Sequence, residues 1–195
     1  MWLATAESCR GWLLAKQGQA EEGIAQIRQG LTAYRATGAQ VHWYIQPLIA
    51  LAEVCLKVGR TEEGLSALTE AMYAMNSHDE RWLEAELYRL KGELLLTQES
   101  KEHRAQSSEQ RFETPNPNTP GEAEACFLKA IEVAQRQQAK SLELRATVSL
   151  ARLWQKQGKQ NEAHRRLSEI YNWFTEGFDT KDLQEAKALI EELSP

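Results

Sequence analysis

Apolar residues recur along most of the chain with the spacing of amphipathic helices. Residues 84–96 (EAELYRLKGELLL) show this most clearly, because they carry two apolar stripes and so predict a helix packed on more than one side. Gly92 lies in the middle of this segment, where glycine costs about 1 kcal/mol relative to alanine. We therefore predict that a neighbouring helix approaches Gly92 too closely to admit a β-carbon. The stripes are formed by Leu87, Leu90 and Leu94 and by Tyr88 and Leu95.

Small residues then recur at a fixed interval, which indicates a repeat. The first set is spaced by 41, 40 and 59 residues, and a second set follows it by 12 residues in every unit except the third, where the interval is 31. A third set, in which three of the four residues are small, follows seven residues later. The period is thus about 40 residues with one insertion of about 19. The sets are Gly11, Ala52, Gly92 and Ala151; Gly23, Gly64, Ala123 and Ala163; and Gly30, Ala71, Ala130 and Ile170.

Turn and capping residues divide this repeat into four helix pairs and a final single helix. Gly18, Gly59 and Gly158 mark turns, Ser77 to Glu80 forms a predicted capping box, and Thr119-Pro120 predicts a helix start. The predicted fold is all-α: a right-handed superhelix of four helix pairs plus a C-terminal capping helix, in a single domain over residues 1–195. The predicted units are 1–38, 40–76, 77–138 and 140–175, with the capping helix at 179–193. The predicted helices are 3–17, 20–37, 43–58, 62–76, 77–97, one from 119, 142–157, 160–175 and 180–193.

The third unit contains a polar insertion over residues 98–118. Ala105 and Phe112 are almost its only apolar residues, and it ends in a cluster of proline and asparagine. Such a segment buries too little surface to offset its ordering entropy, so we predict a flexible surface loop. An alternative is a docking or phosphorylation segment anchored by Phe112.

The small-residue positions match the tetratricopeptide pattern, in which they mark the closest helix crossings, although these units are some six residues longer than the usual 34. The chain also resembles the C-terminal helical-repeat region of large bacterial signalling ATPases, which carry a nucleotide-cyclase or DNA-binding domain and a P-loop ATPase before the repeats. This resemblance implies a regulatory region in a longer polypeptide, and it transfers no catalytic residue. It is carried by residues 84–96, 122–159 and 171–193, and more loosely by residues 2–80.

Charge and composition narrow the classes of partner. The chain has 23 basic and 28 acidic residues, a net charge of −5, and no basic cluster of the kind that neutralises phosphates. We therefore expect no nucleic-acid partner. No apolar run reaches the length of a membrane span, and the N-terminus lacks the features of a signal peptide, so we expect a cytoplasmic protein with no membrane partner.

Motifs for catalysis or metal binding are missing. Gly158-Lys159-Gln160 lacks the spacing and hydroxyl residue of a P-loop, and the four histidines show no zinc-type spacing. We predict no enzyme activity, no catalytic or metal-binding residue and no cofactor. Cys9, Cys55 and Cys126 are expected to be buried, reduced thiols. The tryptophans expected in the core are Trp12, Trp43, Trp82, Trp154 and Trp173.

In arrays of this kind the first helix of each pair lines the concave side, so its outward positions predict a binding groove. That groove is mixed in charge, has a basic end in the fourth unit, and lacks the Lys/Asn set that holds a peptide carboxylate in chaperone-binding relatives. We predict a protein or peptide ligand, including the parent's own ATPase domain; the alternative is a small-molecule effector sensor. The predicted contacts are Trp12, Glu53, Arg89, Glu93, Arg145, Arg152 and Lys156.

The two ends of the chain give further expectations. By its repeat register the first helix should begin near residue −1, so we expect either a portion of a longer protein or at least an uncovered N-terminal helix face that is prone to self-association. At the other end, one face of the last helix is apolar and is expected to cap the fourth unit against Tyr171 and Phe174. Asp179 or Thr180 is its predicted N-cap. The apolar stripe consists of Leu183, Ala186, Leu189, Ile190 and Leu193.

Overall fold

The computed structural model describes residues 2–36, 44–78, 81–106 and 119–194. In these ranges every element of regular secondary structure is a helix, which confirms the all-α prediction. The helices are α1 (Trp2–Lys16), α2 (Ala20–Ala36), α3 (Ile45–Val58), α4 (Thr61–His78), α5 (Glu84–Gln106), α6 (Thr119–Arg136), α7 (Lys140–Lys156), α8 (Gln160–Tyr171) and α9 (Lys181–Leu193).

The helices belong to two compact units. The first unit contains α1 to α4 and α5 from Glu93 onward, and the second contains Glu84–Gly92 of α5 together with α6 to α9. In the first unit α1 packs on α2, α3 packs on α4, and α3 also contacts α1 and α2. In the second unit α7 packs on α6 and α8, while α9 packs on α7 and α8. The organisation as a single domain stays a prediction.

Small residues lie where paired helices touch, as the repeat predicts. Gly11 and Gly23 are both buried, and a β-carbon on Gly11 would lie 2.6 Å from the carbonyl oxygen of Gly23. A β-carbon on Gly23 would lie 2.5 Å from the carbonyl oxygen of Gly11, so α1 and α2 meet backbone to backbone. Gly92 is buried too, and its missing β-carbon leaves room for the Phe127 ring, whose Cε1 would otherwise be 2.5 Å away. The predicted close approach at Gly92 is confirmed.

The boundary between α4 and α5 differs from the prediction. Ser77 and His78 belong to the end of α4, and the Ser77 hydroxyl donates to the Tyr73 carbonyl oxygen at 2.9 Å, one turn back in the same helix. The capping box was therefore wrong, because Ser77 extends one helix and does not begin the next. Asp79 and Glu80 lie outside the described residues, and α5 begins at Glu84.

The first part of the polar insertion is helical, which corrects the prediction of a loop from residue 98. α5 continues to Gln106, and Gln98 donates to the Glu102 carboxylate at 3.1 Å, a pairing four residues apart that stabilises a solvated helix. Lys101 also donates to the carbonyl oxygen of Gly59, which ends α3 in the left-handed conformation (φ 74°). The rest of the insertion, including Phe112, lies outside the described residues.

The last two helices form one core with α7. The α9 stripe packs as predicted, with partly buried Tyr171, Phe174 and Ile190 against the same cluster. α8 ends at Tyr171, earlier than the predicted residue 175. Thr180 is the N-cap by position, although its hydroxyl donates back to the Gly177 carbonyl oxygen at 2.7 Å and not to the first turn of α9. The buried cluster comprises Leu144, Val148, Ala151, Ala163, Leu167, Ile170, Leu183, Ala186, Leu189 and Leu193.

Replacing Gly11 by alanine is expected to destabilise the protein. The new β-carbon would collide with the backbone of α2, so the two helices must separate, and overpacking of this kind costs about 1–3 kcal/mol. Gly121→Ala is the matched control, because Gly121 is an exposed helical glycine with nothing within 4 Å of its β-position. That change should be neutral or stabilising by up to about 1 kcal/mol. Chemical denaturation of both variants measures the difference, and equal free energies of unfolding would contradict the packing role of Gly11.

Leu189→Ala tests the packing of α9. Leu189 is 4% exposed in the cluster with α7 and α8, so truncating it should lower the free energy of unfolding by about 2–5 kcal/mol. Lys187→Ala, on the exposed side of the same helix, should change it by no more than about 0.5 kcal/mol. A Leu189→Ala protein that unfolds at the denaturant midpoint of the Lys187→Ala protein would show that α9 contributes little to stability.

Candidate functional site

A cavity of about 530 Å³ lies in the first unit, between α1 and α3. We call it the α1–α3 cavity. Its wall is mainly apolar, and it opens to solvent beside Leu13, which is 53% exposed. α1 and α3 are the first helices of two successive pairs, so the cavity lies on the helices that the repeat register assigned to binding. The apolar wall is formed by Cys9, Trp12, Leu13, Pro47, Ile49 and Leu83.

Two of the predicted contacts, Trp12 and Glu53, meet in this cavity. The Trp12 indole Nε1 donates a hydrogen bond to Glu53 Oε2 at 3.0 Å, linking α1 to α3. The two residues are 41 positions apart, which is one repeat, and each directly follows a small residue of the first set. Equivalent positions of neighbouring repeats thus face each other. The bond also satisfies the polar edge of a partly buried indole.

Lys16 makes only loose contacts with Glu53 and Trp12. Its Nζ is 4.0 Å from Glu53 Oε2 and 4.6 Å from the centroid of the Trp12 ring, and its side chain is 41% exposed. This separation is at the limit for an ion pair, and water screens the more exposed ammonium. The Lys16 ammonium can therefore move away from the Glu53 carboxylate at little cost.

In the second unit, Arg89 and Arg145 converge on a buried glutamate. Arg89 binds Glu86 through Nη2 (2.6 Å) and Nε (3.0 Å), and Arg145 Nη2 lies 2.9 Å from the same carboxylate. Glu86 is 4% exposed, and Arg145 Nε is also 3.9 Å from Asp182 of α9. Arg145 of α7 thus links Glu86 of α5 to Asp182 of α9, whereas Arg89 pairs with Glu86 within α5 itself. The role of both arginines as ligand contacts stays a prediction.

The other predicted residues lie elsewhere. Arg152 and Lys156 line a cleft of about 290 Å³ between α7 and α9, where Arg152 Nη2 is 3.5 Å from Glu185 Oε2. Glu93 belongs to the first unit, on α5. The basic end predicted for the fourth unit therefore lies beside two acidic residues of α9, Glu185 and Glu192.

A further polar cluster in the first unit joins α2 and α4 to Tyr44, the residue before α3. Arg35 donates to Tyr44 Oη at 2.6 Å and to both oxygens of Glu70 at 2.7 and 2.8 Å, and Tyr44 donates to Glu70. Burial, followed by the hydrogen bond to Glu70, raises the pKa of Tyr44 to about 12. Arg28 and Glu63 form a parallel pair between α2 and α4 (Nε to Oε1, 2.8 Å). We assign these contacts to packing within the first unit.

Several aromatic and thiol side chains are more exposed than predicted. Trp82 is 47% exposed and Trp173 is 58% exposed, so the core prediction was wrong for both. Trp154 packs partly buried against the α7–α9 core, and Trp43 lies outside the described residues. Cys9 is exposed in the cavity, contrary to its predicted burial. The exposure of Trp82, Trp173 and Cys9 depends on neighbouring elements, which a helical pattern alone does not reveal.

Sequence reasoning also missed Leu13 as a cavity residue. It follows Trp12 and precedes Leu14, and three consecutive apolar residues cannot all face the single partner of an amphipathic helix. This run of three apolar residues was the sequence feature that could have indicated an exposed apolar side chain at Leu13.

Comparison with known proteins addresses the fold. No protein-family model matches the chain, and no curated protein matches it. Among solved structures it is similar to a Podospora anserina protein, assigned as a kinesin light chain, whose crystal structure holds nearly identical TPR-like repeats. The match has a TM-score of 0.63 and 14% sequence identity, and covers 96% of this chain and 91% of that one. The fold is that of TPR-like helical repeats.

In the part of the chain that the structure describes, no three histidine, cysteine or acidic residues come together as metal ligands would. Among the described helices, none combines the length and the apolar character that crossing a membrane requires.

The three thiols are expected to differ in reactivity. Burial, and then the charge of Glu63, raises the pKa of Cys55 to about 12, and burial raises the pKa of Cys126. Thiolate is the reactive species, so at pH 8 one thiol per folded chain, Cys9, should react rapidly with Ellman's reagent, and all three should react after denaturation. Cys9→Ser should remove the rapid phase. A rapid phase that persists in the Cys9→Ser protein would contradict the burial of Cys55 and Cys126.

Proposed function

We propose that this chain is a non-catalytic protein-interaction module, whose ligand is a protein segment that places an apolar side chain in the α1–α3 cavity. The carrying observation is an apolar, solvent-open cavity of about 530 Å³ on the first helices of a TPR-like array. This volume lies in the range of about 300–1,000 Å³ that ligand pockets occupy. Burying one large apolar side chain there would contribute about 1.5–3 kcal/mol to binding.

A small-molecule sensor is the second candidate. A polar effector needs several convergent polar or charged groups, such as arginines beside aromatic rings. Of the described residues that line the α1–α3 cavity, none is arginine, and Glu53 is the one with a charge. The lining therefore favours an apolar segment of a protein over a polar metabolite.

The sequence resemblance supports a finer proposal, that the module regulates a signalling ATPase and binds its ATPase domain. Arg152 and Lys156 are exposed and remain proposed ligand contacts in the second unit. Arg89 and Arg145 could take part only after leaving Glu86.

Peptide selection tests the proposed function. Phage-displayed random peptides are selected on the full chain and then assayed for slowing the alkylation of Cys9 by a maleimide, since Cys9 lines the cavity. We expect selected peptides to slow it, and Leu13→Asp to weaken their binding by about tenfold or more, because a charge at the mouth opposes apolar burial. Tyr73→Asp is the control, as Tyr73 is 76% exposed and lies outside the cavity lining.

Equal loss of binding in Leu13→Asp and Tyr73→Asp would contradict the proposal. A melting-temperature increase with a metabolite library, without any peptide that protects Cys9, would favour the sensor.

A further inference from the structure

The charge of the α1–α3 cavity comes from one residue. Among the described side chains that line it, Glu53 carries the formal charge, and the hydrogen bond from Trp12 Nε1 (3.0 Å) fixes its carboxylate at the wall. Its side chain is 22% exposed, so the carboxylate is partly removed from water while still reachable from the opening. A partly desolvated charge discriminates between ligand charges more strongly than a solvated one.

Lys16, a positive partner of Glu53, is one that a ligand can replace. Lys16 lies 4.0 Å from the carboxylate, is 41% exposed, and is absent from the cavity lining. An incoming lysine or arginine would take over the position of an exposed cation. An incoming acid would instead meet the Glu53 carboxylate in an apolar surround, where like charges are strongly disfavoured.

The spacing on α3 sets the approximate distance between the apolar wall and Glu53. Ile49 and Glu53 are four residues apart on the same helix, so their β-carbons are about 5–6 Å apart. A ligand that fills the apolar wall and also reaches Glu53 therefore needs its two groups at a similar separation. Residues three or four apart in a helical peptide, or two apart in an extended one, provide it.

We propose that the α1–α3 cavity selects protein segments in which a lysine or arginine accompanies a large apolar anchor, and excludes segments with an acid at that place. This specificity rests on the proposed function above. Glu53 is its determinant, Trp12 positions Glu53, and Lys16 competes with the ligand.

The test compares matched variants of the full chain with peptides from the same phage-displayed library. Peptides that protect Cys9 should be enriched in lysine or arginine within four residues of a large apolar residue. Their affinity should fall about tenfold or more in Glu53→Gln, which removes the charge but keeps an acceptor for Trp12, and should rise in Lys16→Met. Glu62→Gln, an exposed glutamate outside the cavity lining, should leave it unchanged.

Two groups of results would overturn the inference, and they can be told apart. The charge selection would be refuted by peptides that protect Cys9 without any enrichment in lysine or arginine. It would also be refuted by peptides that bind the Glu53→Gln variant and the unmodified chain with equal affinity. Either result would leave the proposed function standing. A library that yields no peptide able to protect Cys9, or a chain that self-associates in sedimentation with Cys9 already protected, would refute both.

Discussion

The contact between the backbones of α1 and α2 at Gly11 and Gly23 is the constraint on which the first unit depends. Each glycine lies where a β-carbon would strike the carbonyl oxygen of the other. This fixes the rotation of α1 about its own axis, because only one face of the helix admits such an approach. Trp12 follows Gly11 by one residue, or about 100° around the helix, and so turns away from α2 toward α3.

The same relation recurs one repeat later and creates the cavity chemistry. Ala52 is fully buried, and Glu53 follows it as Trp12 follows Gly11. Because the two helices occupy equivalent places in successive pairs, Trp12 and Glu53 meet across 41 residues. The repeat therefore determines which positions of neighbouring helices face each other. The residue type at the position after each small residue determines which contact forms there.

This division explains what could be predicted from sequence. The helix pairs, the close crossing at Gly92 and the apolar stripe of α9 follow from periodicity, which each helix carries within itself. The end of α4 could not be predicted in this way, because a serine such as Ser77 can either cap a new helix or donate to a carbonyl oxygen of the preceding turn. Which of the two it does depends on the conformation of the chain that follows. The exposure of Trp173 and Cys9 was equally out of reach, since it depends on whether another element covers them.

Pairing also decides which charged residues remain open to a ligand. The basic positions of α7 looked available from register, yet Arg145 binds Glu86, which is 4% exposed. Displacing Arg145 removes one of two guanidinium partners from an almost wholly buried carboxylate, whereas Lys16, which is 41% exposed and 4.0 Å from Glu53, can be exchanged more easily. Formal charge along a helix face is thus a poor guide to recognition, and the burial of each partner is a better one. By that criterion, a cationic group of a ligand should replace Lys16 at Glu53 more easily than it replaces Arg145 at Glu86.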